Sequence, residues 1–141
     1  MTFAIGPEIA AAQLAATVTA ADDAAEPGVI HLYANPQPAP GAPAGAAPLA
    51  SIPLAQPCAT VAGGVLTLHP ADSNGAMVLT TGIPRWARWE RGDGALVADG
   101  TVTDSDNGGD FQVAGAGTAP GETSPTLYAG GLVLLGATSL S

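Results

Sequence analysis

Residues 7–16, PEIAAAQLAA, place Ile9, Ala10, Gln13, Leu14 and Thr17 at roughly helical spacing. Pro7 suits the first helical position, Glu8 adds an acid to the first turn, and good helix formers follow. One short helix is predicted, ended by Asp22-Asp23 and Pro27-Gly28. From Val29 the period falls to two. In VIHLYA (29–34), Ile30, Leu32 and Ala34 share one face, and Val29, His31 and Tyr33 share the other.

Further strands are predicted at the spacing of an all-β domain. They are GVLTLH (64–69), AMVLTT (76–81) after the turn Asp72-Ser73-Asn74-Gly75, RWARWER (85–91), ALVADGTVT (95–103) and DFQVAG (110–115). Gly92-Asp93-Gly94 is the strongest hairpin signal in the chain. The C-terminal LVLLGATSL (132–140) is almost wholly apolar, which predicts a strand covered on both sides. Seven or eight short strands with many turns point to an all-β fold, a jelly roll or related β-sandwich, with a short N-terminal helix.

One stretch breaks the rhythm. Residues 35–57 hold seven of the thirteen prolines. Fixed φ angles and missing amide donors favour an extended arm or loop there over a strand. The chain of 141 residues reads as a single β domain, 1–141, with a helical segment at 1–27 and a proline/alanine-rich arm at 35–57.

Composition narrows the partners. Hydrophobic residues make up 47%, but 30 of them are alanines, so the larger side chains fill one modest core. The formal charge is −9, with three arginines, no lysine and twelve acids. Nucleic-acid binding runs on cations displacing counterions from phosphate, so no nucleic-acid partner is expected, and anionic membranes are disfavoured for the same reason. No apolar run reaches the roughly 18–20 residues of a membrane span. The N-terminus has an apolar, signal-like stretch with Val18-Thr19-Ala20 as a possible cleavage site, but it lacks a basic n-region and is interrupted by Pro7-Glu8. An intracellular product is therefore expected.

Chemistry is sparse. Cys58 is alone, and neither His31 nor His69 has a partner at metal-ligand spacing. In DSDNGGD (104–110), Asp104, Asp106 and Gly109 fit part of a calcium loop, but position twelve is Gly115 where a glutamate is needed. A solvated turn is the simpler reading, and no cofactor, metal or catalytic residue is expected. Arg91-Gly92-Asp93 matches an integrin-binding tripeptide and is better read as part of the hairpin.

The segment RWARWERGDG (85–94) gathers all three basic residues and both tryptophans. On a strand, Trp86, Arg88 and Glu90 face one way and Ala87, Trp89 and Arg91 the other, which predicts Trp89 inside and Trp86 outside. Two readings of the outward group stay open. Trp86 lies on a second sheet or under the proline-rich arm, with the arginines paired to Asp93 or Asp99. Alternatively Trp86, Arg85, Arg88, Arg91 and Tyr33 form a partner-binding surface, since Trp and Arg are enriched among hot spots. Trp86 and Tyr33 are also candidate stacking platforms for a receptor or carbohydrate ligand.

The order of features resembles a group of small virion structural proteins of tailed bacteriophages. The resemblance rests on an alanine-rich helix, GVIHLYANPQPAP, GGVLTLHP, TTGIPRWARWERGDGALVADGTV and the terminal GGLVLLGATSL. It spans nearly the whole chain through loose motifs, and is nearest in character to capsid cement or decoration proteins with a jelly-roll fold. The long proline-rich insert and the second tryptophan depart from that pattern. The resemblance implies a non-enzymatic protein on the outer capsid surface of the virion, made in the host bacterial cytoplasm. Its implied partners are the major capsid protein and a second copy of itself, as a homodimer or symmetric oligomer. A tail or head–tail connection protein is the alternative within that class.

Overall fold

The computed structural model describes residues 6–62 and 65–136. Within them the chain is mostly β, with one N-terminal helix and one open, curled sheet of eight strands. The strands are β1 (Val29–Tyr33), β2 (Ala50–Ala62), β3 (Val65–Pro70), β4 (Ala76–Met77), β5 (Trp86–Glu90), β6 (Leu96–Thr103), β7 (Phe111–Ala114) and β8 (Leu132–Leu135). Their order across the sheet is β3-β2-β1-β5-β6-β7-β8-β4. The sheet curls far enough that the amides of Leu79 and Thr80, just beyond β4, both donate to the Leu49 carbonyl at the head of β2.

Helix α1 (Pro7–Ala21) runs to the predicted end, carrying Thr17, Val18 and Thr19 in its last turn. Its partly buried Leu14 and Val18 and its buried Ala21 pack against the core. Tertiary packing of this kind overrides the weak helix propensity of the β-branched residues. Asp22 caps the C-terminus, as expected. Its carboxylate also accepts the Cys58 amide at 3.1–3.2 Å, tying the helix to β2.

Only the first part of 35–57 is irregular. From Ala50 onward it is strand, despite Pro53 and Pro57. Ala50–Pro53 pair with β1 and Ala59–Ala62 pair with β3. Pro57 falls inside the register shift between Leu54 and Ala59, where no ladder bond is asked of its nitrogen. The apolar alternation Ile52, Leu54 drives the strand, and Ala50, Ile52 and Leu54 are buried on the core side.

β6 and β7 run parallel, Val102 opposite Phe111, although the connection is short. Two other expectations change. Of AMVLTT only Ala76–Met77 is strand. β8 is covered on one face alone: Val133 is buried while Leu132 and Leu134 are exposed. The predicted strand residues Gly64 and 137–140 lie outside the described residues.

The core face joins Ile30 and Leu32 of β1 to Trp89 and Ala87 of β5 and to Ile52 and Ala50 of β2, all register partners. At the β5–β6 hairpin, Gly92 approaches the main chain before β1 so closely that a Cβ would stand 1.9 Å from the Glu26 carbonyl oxygen. Only glycine fits there.

Candidate binding surfaces

The outer face of β1, β5 and β6 carries the residues singled out in RWARWERGDG. Alternation along β5 sends Trp86 and Arg88 to this face and Trp89 to the core, as predicted. Tyr33 and Trp86 are register partners, and their rings stack with centroids 4.4 Å apart and planes at 17°. The Arg88 guanidinium stands 5.3 Å from the Trp86 ring centroid, within cation–π range. Across the next ladder Arg88 faces Asp99 and donates twice, Nε to Oδ1 at 2.8 Å and Nη2 to Oδ2 at 3.0 Å.

The arm closes over this group. The Trp86 indole N–H donates to Asn35 Oδ1 (3.2 Å), and Asn35 Nδ2 donates in turn to the Ala44 carbonyl (2.7 Å). Arg88 Nη2 donates to the Ala42 carbonyl (2.7 Å). Trp86 is therefore 0% exposed and Tyr33 6%. Trp86 thus lies on the outer face but under the proline-rich arm, with Arg88 paired to Asp99 and Arg91 to Asp93, the first of the two readings left open by the sequence. With the two rings stacked on each other beneath the arm, neither Trp86 nor Tyr33 offers an open platform to a sugar. Burial, followed by the nearby Glu90 charge, raises the Tyr33 pKa. The hydrogen bonds to Asp99 raise that of Arg88.

All three arginines are spoken for within the chain. Arg88 pairs with Asp99, Arg91 with Asp93 inside the hairpin turn, and Arg85 with Glu122 at 2.7 Å. Arg85 keeps a side chain 45% exposed, so it is the one of the five predicted contact residues with substantial open surface. The formal charge of −9 is thus carried by carboxylates without a guanidinium partner.

Sequence reasoning missed a hydrogen-bonded row beside this cluster. His31 Nε2 meets Glu90 Oε1 at 2.8 Å and His31 Nδ1 meets Ser51 Oγ at 2.7 Å. With Glu90 accepting, Nε2 carries the proton and Nδ1 accepts from the Ser51 hydroxyl. The row staples β2, β1 and β5 together on their outer face. Its only signal in sequence was the alternation that put His31 outward, because Ser51 sat inside the proline-rich stretch.

A second surface lies at the β4–β8 edge. Met77 and Leu132 are register partners. Leu134 stands two residues along β8 from Leu132, with buried Val133 between, so it shares their side, and Leu79 is exposed two residues past Met77, beyond the end of β4. They are 60% (Met77), 58% (Leu132), 43% (Leu134) and 62% (Leu79) exposed. An open cleft of about 340 Å³ adjoins Met77 and Leu79, lined also by Ser51, Pro53, Asp72 and Gly75. Large apolar side chains clustered beside a concave wall are a contact surface in waiting.

The acidic loop after β6 serves the fold. Asp104 accepts from Thr118 Oγ1 (2.6 Å), Asn107 Nδ2 (2.7 Å) and the Asp106 amide (3.1 Å), which hold its pKa below the ordinary carboxylate range. Asp110 is engaged by the Thr101 amide and hydroxyl. Among the described residues no group of three or more His, Cys, Asp or Glu side chains is arranged to hold a metal ion, and no helix is long and apolar enough to cross a membrane. Compared with known proteins, the chain matches no family model, no curated protein and no solved structure.

Proposed function

We propose that this chain is a non-enzymatic virion structural protein that binds the outside of a phage capsid and stabilises it by bridging major capsid subunits. The observation that carries the reading is the apolar strip Met77, Leu79, Leu132 and Leu134 beside its cleft, on an otherwise acidic molecule. A protein that works by adhesion needs a desolvatable patch and a surface field that selects its partner. Here the strip supplies the first, and the unpaired carboxylates supply the second, favouring a basic, apolar-knobbed surface. The same negative field suits the outside of a shell better than the side that meets packaged DNA. Order of features along the sequence supports the same class. A curled sheet whose β4 end returns to Leu49 is compatible with a fold related to a jelly roll.

Co-sedimentation with empty heads of the phage that carries its gene tests this directly. The protein pellets with heads, raises their heat resistance, and loses at least about tenfold in affinity on Met77→Glu/Leu132→Glu, a hot-spot-sized effect. Heads that neither bind the protein nor gain heat resistance from it would sink the reading.

A further inference from the structure

The arm and its seat are unequal partners. Within residues 36–48 only Pro38, Ala42, Ala44 and Pro48 are even half-buried, and the rest are exposed. Beneath them Trp86 and Tyr33 are buried, and the Asp99 side chain is 3% exposed. Three bonds cross from the sheet to the arm: Trp86 to Asn35, Arg88 to the Ala42 carbonyl, and the Gly41 amide to Asp99 at 3.5 Å. A segment that buries so little of itself, over residue types that dominate binding energies, belongs to the low-stability end of the molecule.

We propose that the Trp86–Tyr33–Arg88 seat receives this arm in trans as well as in cis, two copies exchanging residues 36–48 reciprocally across a two-fold axis. The ends of the arm are fixed, by Tyr33 in β1 and by the Leu49 amide donating to the Leu32 carbonyl. Extended out and back between those ends, the arm reaches roughly 20 Å, enough to cross to a facing copy. Reciprocal exchange keeps the Arg88–Ala42 and Asp99–Gly41 contacts while Asn35 stays on its own Trp86, and swapped elements that keep their contacts are a low-cost route to dimers. Pro36, Pro38, Pro40, Pro43 and Pro48 limit the entropy lost on ordering the arm in its new place. The seat reads the Ala42 carbonyl and the Gly41 amide at fixed spacing, so the segment that fits it best is the same arm from a second copy. At its centre the Arg88 charge is neutralised by Asp99.

The test needs no shell, and its failure is separate from failure of the capsid reading. Full-length protein carrying a photoreactive benzoylphenylalanine in place of exposed Gln37 is prepared in isotopically heavy and light forms, mixed at high concentration and irradiated. The expected result is heavy–light crosslinks from position 37 into residues 85–101, persisting in Met77→Glu/Leu132→Glu and reduced about tenfold in Arg88→Ala. Crosslinks into 85–101 confined to single chains overturn the proposal. So do heavy–light crosslinks that avoid the seat.

Discussion

Arg88 and Asp99 stand opposite each other on β5 and β6 and close a two-pronged ion pair whose side chains are 11% and 3% exposed. Breaking such a pair strands a charge away from water, whereas replacing both partners by apolar groups does not. Arg88→Ala is therefore expected to lower unfolding free energy by about 3 kcal/mol. Arg88→Met/Asp99→Leu should recover much of that loss. Urea titration of both proteins measures the difference, and equal destabilisation would show the pair to be incidental.

The two tryptophans should respond oppositely to loss of the indole N–H. Trp86 Nε1 has a partner in Asn35, while Trp89 Nε1 is buried without one. Phenylalanine leaves a similar cavity at either site. It removes a made hydrogen bond at Trp86 and an orphaned donor at Trp89. Trp86→Phe should be the more destabilising by on the order of 1 kcal/mol, read as a difference in denaturation midpoint at constant slope.

Asp93 is held down to about 2, first by its hydrogen bonds to Arg91 and then by the Ala95 amide. A folded pKa below the ordinary value means the clasp stabilises the fold fully above about pH 3.8 and loses that contribution as pH falls towards 2. Asp104, lowered by Thr118 and Asn107, acts in the same direction. Carboxyl NMR titration should place the Asp93 midpoint near 2 and return it towards the ordinary range in Arg91→Gln.

Burial, reinforced by the neighbouring Asp22 carboxylate, pushes the Cys58 thiol up to about 12. At pH 8 almost none of it is thiolate, and the side chain is fully enclosed. Native protein should resist a disulfide-exchange reagent such as Ellman's, and react promptly once unfolded. Fast native labelling would mean that α1 lifts readily from β2.

Alternation was enough to read β1, β5 and the opposite orientations of Trp86 and Trp89 from the sequence, because a period of two leaves no other choice once the strand is right. The GDG hairpin was legible for a similar local reason. The strand half of 35–57 was not, since Pro53 and Pro57 argue against a ladder and only the register shift around Pro57 makes them harmless. Sequence left the covering of Trp86 open and misjudged that of β8 through the same gap: what covers a face depends on residues distant in the chain. Nothing local says that Ala42 and Asn35 roof Trp86, or that nothing among the described residues roofs Leu132 and Leu134.

The placement of β1 between β2 and β5 carries a kinetic consequence. Val29 pairs with Pro53 on one side and with Glu90 on the other, so the middle of the sheet is assembled from pieces far apart in the chain. Loop-closure entropy must be overcome before those pairings return anything, which puts the protein among slow folders. During synthesis the β1–β2 hairpin emerges early and waits, its inner edge bare, until residues 86–90 arrive. That interval, rather than the finished molecule, is when two nascent chains are most exposed to pairing with each other.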